Sequence, residues 1–371
     1  MSFEDRVKAV AEFGFTERQA RFLVTVMLHS GVCVPRQYAS FAGTAYGHNV
    51  TKFFDKLVRS GYATACGCLH NRAELYHVKH HALYRAIDQP HSRYRKPVPA
   101  RQAIERLMRL DSIVLYPDLM WFGTEQEKVA FFGMMAPTLP RDRLPQITVG
   151  TGASQRVRLF PEDQPIGVTS GGHVVFTYIV AAGYIEEFRA FVQRHADLLR
   201  ALPGWTLRML FPQHLAGAIS RFEAAARYEL ATRLRQDTLA ELKWYFEKRR
   251  STSDPRALLF ENEEFWRDQA AFGTPRFRQL YRRWLTDGDS VFDTASSPAI
   301  AEALERGTGQ IESLLLLSYR HLSPLASLVR SDAMGVEKGE RCSARPQPPL
   351  PPSLSISDQL TRDWHRSIGR T

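Results

Sequence analysis

Gly31, Pro35, Gly43 and Gly61 punctuate the first 80 residues, and between them the apolar period can be read segment by segment. Thr16-Glu17-Arg18-Gln19 has capping-box spacing. Ala20, Leu23, Met27 and Leu28 then recur at helical period, which predicts a helix over about 16–30 that Gly31 stops. Pro35 suits the first turn of a short second helix, residues 35–42, which Gly43 closes. His48 or Asn49 can cap a third helix that ends at Gly61. Its face of Val50, Phe54, Leu57 and Val58 is apolar, and Thr51, Lys52, Asp55, Lys56 and Arg59 fall on the other. Residues 62–66 and 74–78 alternate as two short strands, joined by a polar loop that carries His70, Asn71 and Arg72.

The order is therefore helix, helix, helix, hairpin. That is the organisation of a winged helix-turn-helix, in which the third helix enters the major groove and the hairpin loop follows phosphates or the minor groove. The phrase Phe53-Phe54-Asp55-Lys56-Leu57-Val58-Arg59-Ser60-Gly61-Tyr62 resembles the end of the recognition helix and the first wing strand of winged-helix regulators. On that reading His48, Asn49, Thr51, Lys52 and Lys56 meet the groove, and His70, Asn71 and Arg72 form the wing tip. Such modules also bind proteins, and a small helical unit with a solvated basic face remains the plainer alternative.

Charge favours the nucleic-acid reading. The chain has 49 Lys and Arg against 39 Asp and Glu, a net +10, and residues 1–100 alone hold 14 basic against 7 acidic residues with seven of the twelve histidines. A polyanionic partner, double-stranded DNA, is expected. Four scattered cysteines do not make a disulfide framework, and neither a leader nor an apolar run of about 20 residues is seen, so a cytoplasmic protein without membrane contact is expected. Cys66-x-Cys68-x-His70 with His77, His80 and His81 lacks the spacing of a zinc site, since a C-x-C within a strand has no second pair to complete a tetrahedron. No metal or cofactor is expected, and Cys66 is read as a small buried residue.

Residues 89–99, with Arg93, Arg95 and Lys96 among prolines, read as a basic linker able to follow phosphates, so the first domain is placed at 1–88. Helices are expected at about 100–110 and, capped by Thr124, at 125–134. Between and around them, the stretch from Leu110-Asp111 through Pro117-Asp118 to Phe131-Phe132 is similar to a segment behind the winged helix in bacterial proteins of integrative elements. Residues 155–160, 166–168, 173–181 and 205–211 read as strands, with helices at 184–202 and 213–233. The β-β-β-α-β-α order implies an α/β domain, residues 100–235, whose last strand lies parallel to an earlier one. A winged helix followed by such a unit resembles the replication-relaxation family of plasmids and integrative elements over about residues 10–230, whose second half looks like a restriction-endonuclease core.

A nuclease of that kind needs an Asp on one strand and an acid-x-Lys on the next. Asp163 offers the first, but residues 173–180 hold neither acid nor lysine, and Glu186 and Glu187 come later on a helix, expected to face solvent. The core is read as degenerate. Residues 236–330 are expected to be a helical region, with helices at 238–250, 262–272, 275–285 and 298–328. The aromatics of 243–250 and 276–284 are assigned to its core, a second phosphate-contacting surface being the alternative, and 313–317 to a buried helix or a self-association face. The Pro-rich stretch 331–371 is expected to be disordered. The expectation as a whole is an α+β, non-catalytic DNA-binding protein that controls transcription, replication or transfer of a mobile genetic element. A homodimer or protein partner is assigned to the α/β and helical regions. A metal-dependent nuclease using Asp163 with Glu186 or Glu187, or a winged-helix protein-interaction module, is the alternative.

Overall fold

The computed structural model describes residues 1–68, 73–161, 164–232, 234–251, 263–316 and Tyr319, all within one compact unit. The loop residues His70, Asn71 and Arg72, Asp163 and the Pro-rich stretch 331–371 lie outside the described residues. The fold is α+β.

The chain opens with α1 (Phe3–Ala11), a helix the apolar period did not announce; Ser2 and Asp5 form its capping box. Helix α2 (Glu17–His29) follows, with Thr16 and Gln19 exchanging bonds of 3.1 and 3.3 Å as their spacing implied. Gly31, at φ 73°, lies so close to Tyr94 that a Cβ would meet its carbonyl oxygen at 2.5 Å. A short strand β1 (Val32–Cys33) leads to α3 (Pro35–Ala42), with Pro35 in its first turn and left-handed Gly43 closing it. Then come α4 (His48–Arg59), β2 (Ala63–Gly67), β3 (Glu74–Val78) and α5 (His81–Ala86). The three strands pair antiparallel in the order β1-β3-β2.

The buried face of α4 is Val50, Phe53, Phe54 and Leu57, which corrects the expected face: Val58 is 40% exposed and Phe53 takes its place. The spacing i, i+3, i+4, i+7 keeps these four in one stripe, and adding Val58 would rotate it by a full residue. Phe53 packs on Tyr38 and Phe54 on Tyr76, each pair with ring centroids 4.4 Å apart.

Residues 89–99 do not form the linker expected of them. Tyr94 is buried in the same core and sits in a 3-10 turn, Arg93–Arg95. Helix α6 (Ala100–Leu115) continues that packing and runs past the expected end at 110 to Tyr116-Pro117. Leu110 enters the N-terminal core, while Arg36 makes a bidentate pair with Asp111 at 2.9 and 2.7 Å and Gln37 donates to the Leu107 carbonyl and to Asp111. Tyr319 also donates to Asp111. Asp111→Ala should therefore lower the unfolding free energy of the full chain by about 1–3 kcal/mol, since it leaves three donors short of their acceptor. Asp111→Asn, which still accepts, should cost less. Urea denaturation reads the difference, and an unchanged midpoint in the alanine variant would show that this network does not fasten α6.

Beyond α6 lie β4 (Met120–Trp121), α7 (Glu125–Met135), the hairpin β5 (Gln146–Val149) and β6 (Arg156–Leu159), β7 (Ile166–Val168), β8 (Val174–Ile179), α8 (Glu186–Ala201), β9 (Trp205–Phe211) and α9 (Ile219–Ala231). Strand β6 was expected within the α/β sheet; instead it pairs only with β5. Helix α8 connects β8 to β9, and these two strands are parallel, as the element order implied. Val174, Phe176 and Tyr178 with Trp205, Leu207 and Met209 form one face under Phe188, Phe191 and Phe222. Ile179 and Leu210, on the opposite face, pack with Ala103, Leu107 and Met108 of α6. The sheet therefore has helices on both sides.

The helical region comprises α10 (Gln236–Ser251), α11 (Glu263–Phe272), α12 (Pro275–Asp287), α13 (Ser290–Ser296) and α14 (Ala299–Glu305). Tyr245, Phe246, Phe277 and Trp284 form its core, with Arg249 over Tyr281 and Arg250 over Trp284. The expected helix over 298–328 is not formed. After α14 the chain turns at Gly307 into β10 (Gly309–Leu315), which adds to β9 in parallel, so 313–315 belong to a strand and not to a buried helix. A short apolar run reads equally as strand or helix, and here pairing with β9 decides. A Cβ at Gly309 would lie 2.7 Å from the Trp205 ring. Among the described residues the largest sheet thus has five strands, in the order β10-β9-β8-β7-β4.

Candidate nucleic-acid interface

The solvent side of α4 carries His48, Asn49, Thr51 and Lys52 together in its first two turns, all exposed. Neither His48 nor Asn49 caps the helix, as had been expected; the cap is Gly47, and both side chains are left to project from the first turn. Burial of Val50, Phe53, Phe54 and Leu57 fixes the rotation of the helix, so the polar residues are presented as one rigid row. Tyr46, just ahead, is 66% exposed.

Lys56 belongs elsewhere. Its ammonium donates to the Gly14 carbonyl and sits 4.7 Å from the Phe15 ring, which ties α4 to the turn between α1 and α2. Beside the row, a shallow groove of about 750 Å³ runs between the start of α2 and the loop before α4. Arg18 and Arg21 line it, but so does Glu17, and Arg21 is paired with Glu4 at 2.6 Å and with Glu17 at 3.0 Å. The groove is therefore of mixed charge, and the unpaired polarity lies on α4 itself.

Of the second basic group, Lys96 is exposed while Arg93 and Arg95 are engaged by the fold. Arg95 donates to the Pro90 carbonyl at 2.5 Å, and Arg93 stacks on Tyr94, where burial lowers its pKa to about 10. The expectation of three cations along a phosphate backbone is thus reduced to Lys96. The buried Tyr94 pulls the segment inward and takes both arginines with it.

The Cys/His group of the hairpin does not assemble around one point. His77 is buried and its Nε2 lies 2.9 Å from the Tyr94 carbonyl, while His80 meets the Tyr62 ring. Cys66 is half-buried rather than fully enclosed, and with Cys68 it packs against the cluster that joins β3 to α6. Among the described residues no group of three or more His, Cys, Asp or Glu is placed to hold a metal ion. Glu186 and Glu187 are exposed on the first turn of α8, as expected, and Glu186 pairs with Arg189.

Sequence reasoning missed one set of polar residues altogether. His29, Lys128 and Arg158 come from α2, α7 and β6 and meet at a small cavity beside Tyr94. No spacing pattern joins positions so far apart in the chain. The only local sign was Lys128, a cation in the buried stripe of an otherwise aromatic helix. Among the described residues no helix is long and apolar enough to cross a membrane. Comparison with protein-family models, with curated proteins and with solved structures finds no match to the chain.

Proposed function

We propose that the protein binds double-stranded DNA through α4, in the manner of a winged helix-turn-helix, and catalyses no reaction on it. The observation that carries this reading is the row His48, Asn49, Thr51 and Lys52, exposed on a helix whose other face is locked by four buried apolar residues. A helix so presented fits the major groove, and its Asn and Lys have the donors and acceptors that read adenine and guanine edges. The hairpin β2–β3 follows α4 directly, where a wing would stand, with His70, Asn71 and Arg72 at its tip. The α/β sheet and the helical region would then dock a second copy or another factor. Control of transcription, replication or transfer on a mobile genetic element is the role implied by the resemblance alone, and the neighbouring genes test it.

Binding to a mixed-sequence duplex should weaken linearly in log Kd against log salt, with a slope of several ions, at about 0.9 per phosphate contacted. A slope near zero would turn the reading towards a protein-binding module. Supercoiled plasmid incubated with the protein and magnesium should stay intact, and cleavage would overturn the non-catalytic part.

A further inference from the structure

The cavity beside Tyr94, about 120 Å³, is enclosed by the end of α2, the start of α7 and the β6 side of the hairpin. That space takes several waters or one small tetrahedral ion. Its lining includes His29, Tyr94, Thr124, Lys128, Arg158 and Gln164. Lys128 is 7% exposed and His29 6% exposed, so both polar groups are held away from bulk water.

Positive charge dominates around this space. Lys128 donates to the Gln164 carbonyl at 3.2 Å and keeps its ammonium over the Phe160 ring. Arg109 donates to the Tyr94 hydroxyl at 3.1 Å. Burial alone would raise the Tyr94 phenol, but the guanidinium groups of Arg109, Arg93 and Arg106 more than offset it and bring its pKa below the ordinary value. Two acids are close. Glu127 accepts from Arg6 and also from the Gly123 and Thr124 amides, so its charge is committed to the cap of α7. Glu125 lies at the exposed rim.

His29 supplies the second, independent sign. It lines the cavity, and among the described residues its ring nitrogens have no hydrogen-bond partner. A nine-tenths-buried imidazole normally finds one. Burial first, and then the charges of Lys128, Arg109 and Arg6, hold its pKa down to about 3. A neutral ring among buried cations is what remains when the charge of that space is balanced by a ligand and not by the protein.

We propose that this cavity binds a phosphate-class oxyanion, with Lys128 and Arg158 as its charged donors and His29 as a third donor aimed at it. The ion accepts from the lysine and arginine, and its negative charge makes protonation of His29 favourable. Since the folded pKa of His29 is depressed, the free protein loses stability as pH falls below about 6.5, where the unfolded chain takes up a proton that the fold refuses. A bound oxyanion raises that pKa and removes part of the loss. Binding is therefore tighter at pH 5.5 than at pH 7.5 for sulfate, which stays a dianion over that range.

The test follows the His29 ring by NMR in the full-length protein at constant ionic strength. Titration with inorganic phosphate should move the ring signal saturably, and a short duplex without terminal phosphates, titrated separately, distinguishes a backbone phosphate from a free one. Movement with either probe supports the site and assigns its source. Arg158→Gln, on the half-exposed strand where folding is not at stake, should weaken the effect about tenfold or more, as loss of one charge-assisted bond does. Lys128→Gln should do the same, and Arg141→Gln, outside the cavity, should not. No saturable movement with either probe, or equal affinity in Arg158→Gln, would overturn the proposal.

Discussion

Phe54→Ala is expected to cost about 3–5 kcal/mol and to unfold the N-terminal elements in mild denaturant. The ring is 1% exposed and packs on Tyr38, Phe53 and Tyr76 with centroids 6.2, 5.1 and 4.4 Å away, so its removal leaves a cavity that rigid aromatic neighbours cannot close. Val58→Ala, four residues on, should change stability by no more than about 0.5 kcal/mol because its side chain already meets water. The pair of variants, followed by circular dichroism during urea denaturation, measures the rotation of α4 directly. Comparable losses in both would mean that Val58 is core after all and that the polar row faces elsewhere.

The second large effect concerns sequence choice. Asn49→Ala and Lys52→Ala each remove a group able to make a bidentate contact with a base, worth about 1–3 kcal/mol of discrimination. Both side chains are exposed on α4 and neither is part of its packing, so the variants should fold normally. Sites selected from random duplexes by the unaltered protein should then lose their advantage over random DNA, about tenfold for each variant, while affinity for random DNA falls much less. All affinities must be measured at one salt concentration. If no sequence is enriched, or if both variants keep the original preference, α4 is not a recognition helix and the basic face serves another partner.

The N-terminal order was legible because local chemistry dictates it. The capping box at Thr16, proline at the first turn of α3 and left-handed Gly43 act within a few residues, and each lies where its spacing implied. Helix α1 shows the limit of period alone: Ser2 and Asp5 carried its signal, but only Val7 and Val10 are buried apolar residues in it. The linker failed for a different reason. Prolines and cations describe residues 89–99 well on average, yet one aromatic, Tyr94, found a buried site and fixed the segment. The cavity was out of reach because His29, Lys128 and Arg158 meet only once three separate segments have packed.

Strand β10 has a consequence for the order of events during synthesis. Strand β9 presents an unpaired parallel edge from the moment residues 205–211 leave the ribosome, and its partner is residues 309–315. At roughly 5–20 residues per second, that edge waits about 5–20 s while nearly a hundred residues are made. The intervening helices must fold around an unfinished sheet, and α14 reaches the end of that wait immediately before the strand it delivers. A growing chain stalled short of Gly309 therefore exposes a ready template for pairing with other chains, and the nascent protein is most prone to aggregate in that interval.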